Sequence, residues 1–165
     1  MKYIKANSIS YGGKRSRNDV RFIIIHYTGV NGDTAENEGN AFKNWNRREA
    51  GAHFFVDQNG NIVKSIAMNL IAWSVGDAKN KYSSGGSMHG IITNANSVSI
   101  ELCDNIHRDP SKKQIQAVKR CIKYIRRYCP NAKEVYRHYD VTGKACPARM
   151  VDRKKWESFK NAIGE

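Results

Sequence analysis

The sequence predicts an α/β fold, a single domain with a central mixed β-sheet flanked by helices. Three observations lead there. "RFIIIHYTG" (21–29) is a short β-branched run closed by a glycine, as in a buried strand. "NSVSIELC" (96–103) alternates apolar and polar residues with a period of two. Residues 110–128 carry Ile115, Val118, Ile122 and Ile125 at helical spacing. Strands alternating with helices along one chain indicate a sheet covered by helices.

The remaining elements follow in chain order. In the first strand, Phe22, Ile24 and His26 share one face. Residues 34–48 predict a polar helix with Thr34 as N-cap and Phe42 and Trp45 facing inward. "AHFFVDQNGNIVKSI" (52–66) predicts a hairpin turning through Asn59-Gly60. The Gly-, Ser- and Asn-rich segment 77–96 predicts a long loop, a kind that often carries function. In 96–103, Val98, Ile100 and Leu102 point one way and Ser97, Ser99 and Glu101 the other. Pro110 suits the first turn of the helix that follows. "VYRHY" (135–139) predicts a short strand, and Trp156, Phe159 and Ile163 a final docked helix. No internal repeat or boundary interrupts the pattern, so residues 1–165 are expected to form one domain.

With 165 residues, 40% of them hydrophobic, the chain can bury a sizeable core. No apolar run suits a signal peptide or a membrane span, which predicts synthesis in the cytoplasm, no membrane insertion, and export by another route. Cys103, Cys121, Cys129 and Cys146 form no CxxC pair and are expected to be reduced, with Cys121 a small core residue. The 28 Lys+Arg against 15 Asp+Glu give a formal charge of +13. That excess suits a polyanionic partner: nucleic acid, an anionic membrane surface, or the phosphate-rich polymers of a bacterial wall. A solvated basic surface is the plainer alternative. No RNA-binding aromatic motif or zinc-finger spacing accompanies the charge, so nucleic acid is not the expected partner.

"RHYDVTGKACP" (137–147) places His138, Lys144 and Cys146 within nine residues. His26, His53 and Glu101 stand at or near other strand ends. Two histidines and a cysteine meet the needs of a catalytic zinc site with one open position, if the sheet brings His26 and His138 side by side. Taken singly, His26 is an ordinary core histidine, Glu101 a carboxylate on a half-exposed strand, and Lys144 a solvated loop lysine. Cys146 and His138 would also suit the nucleophile and base of a cysteine hydrolase. His89 lies in the Gly/Ser-rich loop, and His107 is expected at the surface.

"IIIHYTG", "GAHFFVDQNGNI", "NSVSIEL" and "RHYDVTGKACP", in that order, resemble the zinc-dependent N-acetylmuramoyl-L-alanine amidases of the type 2 family, which include phage endolysins and are similar to animal peptidoglycan recognition proteins. The resemblance runs from about residue 20 to residue 160. It implies the amidase fold and hydrolysis of the muramic acid to L-alanine amide in peptidoglycan, in the manner of a phage or prophage endolysin released through a holin pore. It implies one Zn2+ held by His26, His138 and Cys146, with Lys144 stabilising the oxyanion and Glu101 handling the proton. Ala52 stands where phage-type relatives carry a tyrosine, which removes that helper and strengthens the assignment to Glu101. For His53 three readings stand: a substrate contact, a support for a ligand, or simply a strand residue. Peptidoglycan, with its anionic wall polymers, is the implied partner. The competing classes are a non-catalytic peptidoglycan-binding module, which Cys146 argues against, and a basic nucleic-acid-binding domain, which leaves the histidines and cysteine unexplained.

Overall fold

The computed structural model describes residues 1–76 and 86–165. Among them are eight strands: β1 (Lys2–Tyr3), β2 (Tyr11–Lys14), β3 (Phe22–Tyr27), β4 (Phe54–Val56), β5 (Ile62–Lys64), β6 (Leu70–Ala72), β7 (Ser97–Leu102) and β8 (Glu134–Arg137). The helices are α1 (Ala35–Asn44), α2 (Lys112–Tyr128), α3 (His138–Thr142) and α4 (Arg153–Ile163). Six strands form one mixed sheet in the order β1-β5-β4-β7-β3-β8, and β2 pairs with β6 in a small separate ribbon. The centre of the sheet is parallel, with β3 between β7 and β8 and β4 on the far side of β7. The predicted hairpin is the antiparallel β4–β5 pair.

Parallel strands need connections that cross the sheet, and helices supply them. On one face lie α2 and α4. Val118, Cys121, Ile122 and Ile125 from α2, with Trp156, Phe159 and Ile163 from α4, cover Ile23, Ile25, Val98, Ile100 and Leu102. Truncating one of these, such as Ile122→Ala, costs about 2–5 kcal/mol. Ser111 caps α2 by accepting from the Gln114 backbone N–H, so Pro110 precedes the helix rather than entering its first turn. Gln114 itself is buried and donates to the carbonyls of Val56 and Cys103, locking α2 onto β4 and the end of β7.

The opposite face is covered by α1 and by loops. Thr34 caps α1 as expected, accepting from the Asn37 backbone N–H. Phe42 packs on Phe55, with ring centroids 5.3 Å apart. Gly39 permits the close seat of this helix, since a Cβ there would stand 2.9 Å from Val63 Cγ1. Trp45 departs from expectation. It ends the helix and is 67% exposed, because the chain leaves helical geometry at that residue and swings its side chain outward.

On β7, Ser97 and Ser99 are fully buried beneath the α1-side layer, so the half-exposed strand of the plainer reading of Glu101 is not found. One further expectation is corrected. The strand containing 135–137 stops at Arg137, and His138 opens the one-turn helix α3. Asp140 turns the chain there by accepting from the Arg137 backbone N–H, and Gly143 ends α3 at φ 75°. Of the predicted 77–96 loop, residues 77–85 lie outside the described residues, and 86–96 run through turns. All four cysteines are free and buried, Cys121 completely.

Candidate functional site

The carboxyl ends of three parallel strands converge on one spot. His26 is the fifth residue of β3 and shares the face of Phe22 and Ile24, away from α2 and α4. Glu101 on β7 is its direct partner across the ladder. On the other side of β3, Ile25 pairs with Arg137, so His138 emerges one step beyond. The chain then turns through α3 and returns Cys146, whose carbonyl accepts from the Tyr139 backbone N–H at 2.8 Å.

His26 and His138 stack loosely, with ring centroids 4.7 Å apart. Cys146 Sγ lies 3.8 Å from His26 Nδ1. One donor atom from each of His26, His138 and Cys146 falls within 4.8 Å of the others, and all three residues are buried. His26 Nε2 and His138 Nε2 are enclosed without a hydrogen-bond partner among the described residues. Buried imidazole nitrogens rarely stay unsatisfied, and two beside a thiol make a donor set suited to a metal ion. The residues therefore fit such an ion, which would explain both orphaned nitrogens at once.

Electrostatics agree with this donor set. Burial pushes the His26 pKa well below 6.5, with His138 and Lys144 adding to the effect. Burial and then Lys144 lower His138 to about 4, against a hydrogen bond to the Val75 backbone. Both rings are neutral at pH 7, the form that ligates. Burial raises the Cys146 thiol to about 12, and Glu101 raises it further while Tyr27 and Lys144 oppose. A cysteine nucleophile needs the opposite shift. The geometry moreover pairs Cys146 with His26 and not with His138, the base that the cysteine-hydrolase alternative named.

A cleft of about 370 Å³ opens over the cluster and reaches Glu101, Lys144, Trp73 and Phe55. Glu101 Oε2 is buried without a partner among the described residues. Burial raises its carboxyl to about 8, Glu38 adds to the rise, and Lys144 opposes it. Lys144 is exposed on its loop and lines the same cleft. The structure thus brings together five of the six residues singled out in the sequence.

His53 is the sixth, and it is placed elsewhere. It is 0% exposed. Its ring lies 3.1 Å from Ser99 Oγ, 3.0 Å from Arg15 Nη2 and 3.2 Å from the Leu70 carbonyl. Those contacts use both ring nitrogens and tie β4 to β7 and to the amino-terminal segment, so the ring does not line the cleft. His89 and His107 are exposed and outside it.

Glu38 and Arg48 line the cleft and were not singled out in the sequence. Glu38 is raised to about 7, by burial first and then by Asp33. Helical period could have found it, because Glu38 lies four residues before the inward-facing Phe42. Arg48 had no local signal.

The family model for N-acetylmuramoyl-L-alanine amidase matches residues 16–149. The chain is 30% identical over 98% of its length to the N-acetylmuramoyl-L-alanine amidase BlyA of Bacillus subtilis (strain 168). It is 29% identical, again over 98%, to the N-acetylmuramoyl-L-alanine amidase CwlL of Bacillus licheniformis. It spans 45% of the length of each of these relatives. The fold matches the solved structure of PlyL with a TM-score of 0.75 at 24% identity, covering 99% of this chain and 96% of that one.

Proposed function

Because this chain belongs to the N-acetylmuramoyl-L-alanine amidase family, we propose that it hydrolyses the amide between N-acetylmuramic acid and L-alanine in peptidoglycan, as an endolysin of a phage or prophage. The observation that carries the reading is the buried His26/His138/Cys146 cluster beneath a cleft that also holds Glu101. In this reading the cluster holds one zinc ion. Such an ion supplies Lewis acidity, easing deprotonation of water at neutral pH and polarising the scissile carbonyl.

The chain's own residues do the rest. Glu101 Oε2 takes the proton of the attacking water and returns it to the amine of L-alanine as that amine leaves. A cation held by His26, His138 and Cys146 would draw the Glu101 carboxyl down from about 8, towards the range where a proton is both accepted and released. Lys144, which lines the cleft, supplies positive charge for the oxygen that gains negative charge. Trp73 and Phe55 wall the cleft and limit water around the reacting atoms. The formal charge of +13 supports attraction to walls bearing anionic polymers.

Product analysis on purified walls tests the reading. New alanine amino termini should appear as walls clear, with no new reducing sugars. Chelation should stop their release and zinc should restore it. Reducing ends without alanine amines would overturn the assignment, and full activity after chelation would overturn the metal's part.

A further inference from the structure

A second groove, also about 370 Å³, adjoins the catalytic cleft and shares Glu38, Phe42 and Arg48 with it. Its outer wall is Trp45 with Arg47. At 67% exposed, Trp45 is the most exposed large apolar side chain among the described residues. Single exposed apolar residues are ordinary on protein surfaces. Trp45 differs in being at the rim of a groove and on a loop whose backbone is held in place.

That loop is pinned at several points. The Trp45 and Asn46 backbone N–H groups both donate to the Ala41 carbonyl, at 2.8 and 3.1 Å. Asn46 Nδ2 donates to Ser10 Oγ and to the Ala50 carbonyl, each at 2.8 Å. Asn7 Nδ2 donates to the Asn46 carbonyl at 2.9 Å. With the backbone beneath it fixed in this way, the exposed indole can meet a flat partner with little backbone entropy to lose.

The chemistry of the groove selects the partner. Trp45 offers an apolar plate, Arg47 and Arg48 offer donors, and Glu38 offers an acceptor. A polyanion would meet the Glu38 carboxyl, and a purely apolar chain would cover the Arg47 and Arg48 guanidinium groups without pairing them. A pyranose ring has one face of C–H groups and a rim of hydroxyls that both donate and accept. We infer that Trp45 is the stacking plate of a sugar subsite, through which the glycan strand of the wall polymer enters the catalytic cleft. The inference rests on the amidase reading and adds where the sugar side of the substrate lies.

The test titrates the full chain with three separate probes: a peptide-free N-acetylglucosamine tetrasaccharide, a sugar-free stem peptide, and inorganic polyphosphate. Calorimetry reads each against the unaltered protein, Trp45→Ala and Trp45→Phe, with circular dichroism to verify the fold. Trp45→Ala should weaken tetrasaccharide binding about tenfold, the scale of a lost aromatic anchor, and Trp45→Phe should recover most of it. Binding of the peptide and of polyphosphate should be the same in all three proteins. No measurable tetrasaccharide binding by the unaltered protein, equal binding in Trp45→Ala, or a loss confined to the peptide or the polyphosphate would each overturn the inference. If the unaltered protein releases no alanine from walls, the amidase reading fails while the titration still reads the subsite.

Discussion

His26 and Glu101 are direct partners on adjacent parallel strands, so their side chains rise from the same face of the sheet at the same level. In the proposed reading, a ligand and a proton acceptor are thereby held in place by backbone pairing instead of by a loop. Glu101→Gln keeps the shape and removes the basic oxygen. The variant should retain metal content and melting temperature while losing about 10²–10⁴-fold in amine release from purified walls. Near-normal rates would assign the proton to another group.

Cys146→Ser should lose most of the bound metal. Removing a residue that only supports a ligand commonly costs about 10–100-fold in affinity, and loss of a ligand itself should exceed that. Competition with a chelating dye, read with the enzyme idle, checks this. Full retention of metal would remove Cys146 from the donor set.

Asp140→Ala should be among the more damaging single changes. Arg137 donates to both Asp140 oxygens, and its Nη1 reaches the Met150 carbonyl at 2.7 Å. The pair is largely buried, with 11% of each side chain exposed. Breaking such a pair from one side costs about 3–5 kcal/mol, because the remaining guanidinium is left without its counter-charge. The same contacts tie the start of α3 to the turn after Cys146, so metal affinity should fall with stability. Urea unfolding and a metal titration measure the two effects. A stability loss with unchanged metal affinity would confine the pair to a packing role.

His53 gives the fold a pH dependence of known sign. Burial and then Arg15 lower its pKa from 6.5 to about 3 in the native state. Between those values the unfolded chain binds a proton that the native chain refuses. Its contribution to stability is therefore complete above pH 6.5 and is lost as pH falls towards 3, by about 1.4 kcal/mol per unit. Urea midpoints at pH 7 and pH 5 should separate less in His53→Asn than in the unaltered protein. Equal separation would show that His53 carries no such linkage.

The parts of the fold carried by long periodic patterns were legible in the sequence. The β3 and β7 strands, the hairpin, α2 and α4 each repeat a spacing often enough to show it. The short elements were not. A two-residue strand such as β1 has no period, and α3 is one turn fixed by Asp140 accepting from the backbone of Arg137. Trp45 was misplaced because three residues after Phe42 it fits an inward stripe, and nothing local announces where the helix stops. Alternation puts Ser99 on the face opposite Val98 and Ile100, which reports polarity and not burial. It could not reveal that His53 would lie over that serine and bond to it. The site was legible to the extent that its residue types are chemically distinctive. His26, His138 and Cys146 stand out in any chain, whereas Glu38 resembles any helix glutamate until the sheet is folded beneath it.

His26 and Cys146 are 120 residues apart in sequence, and their side chains meet only when β8 has docked beside β3 and the following loop has closed. The donor cluster is thus a readout of chain completion: a partly folded chain has the same three residues and no place where they converge. A cation that recognises only the converged form favours the finished fold by mass action, about 2.7 kcal/mol at a hundredfold excess over its dissociation constant. The same three side chains that equip the cleft for chemistry would then also act as a clasp, fastening the first long strand of the sheet to one of the last segments of the chain.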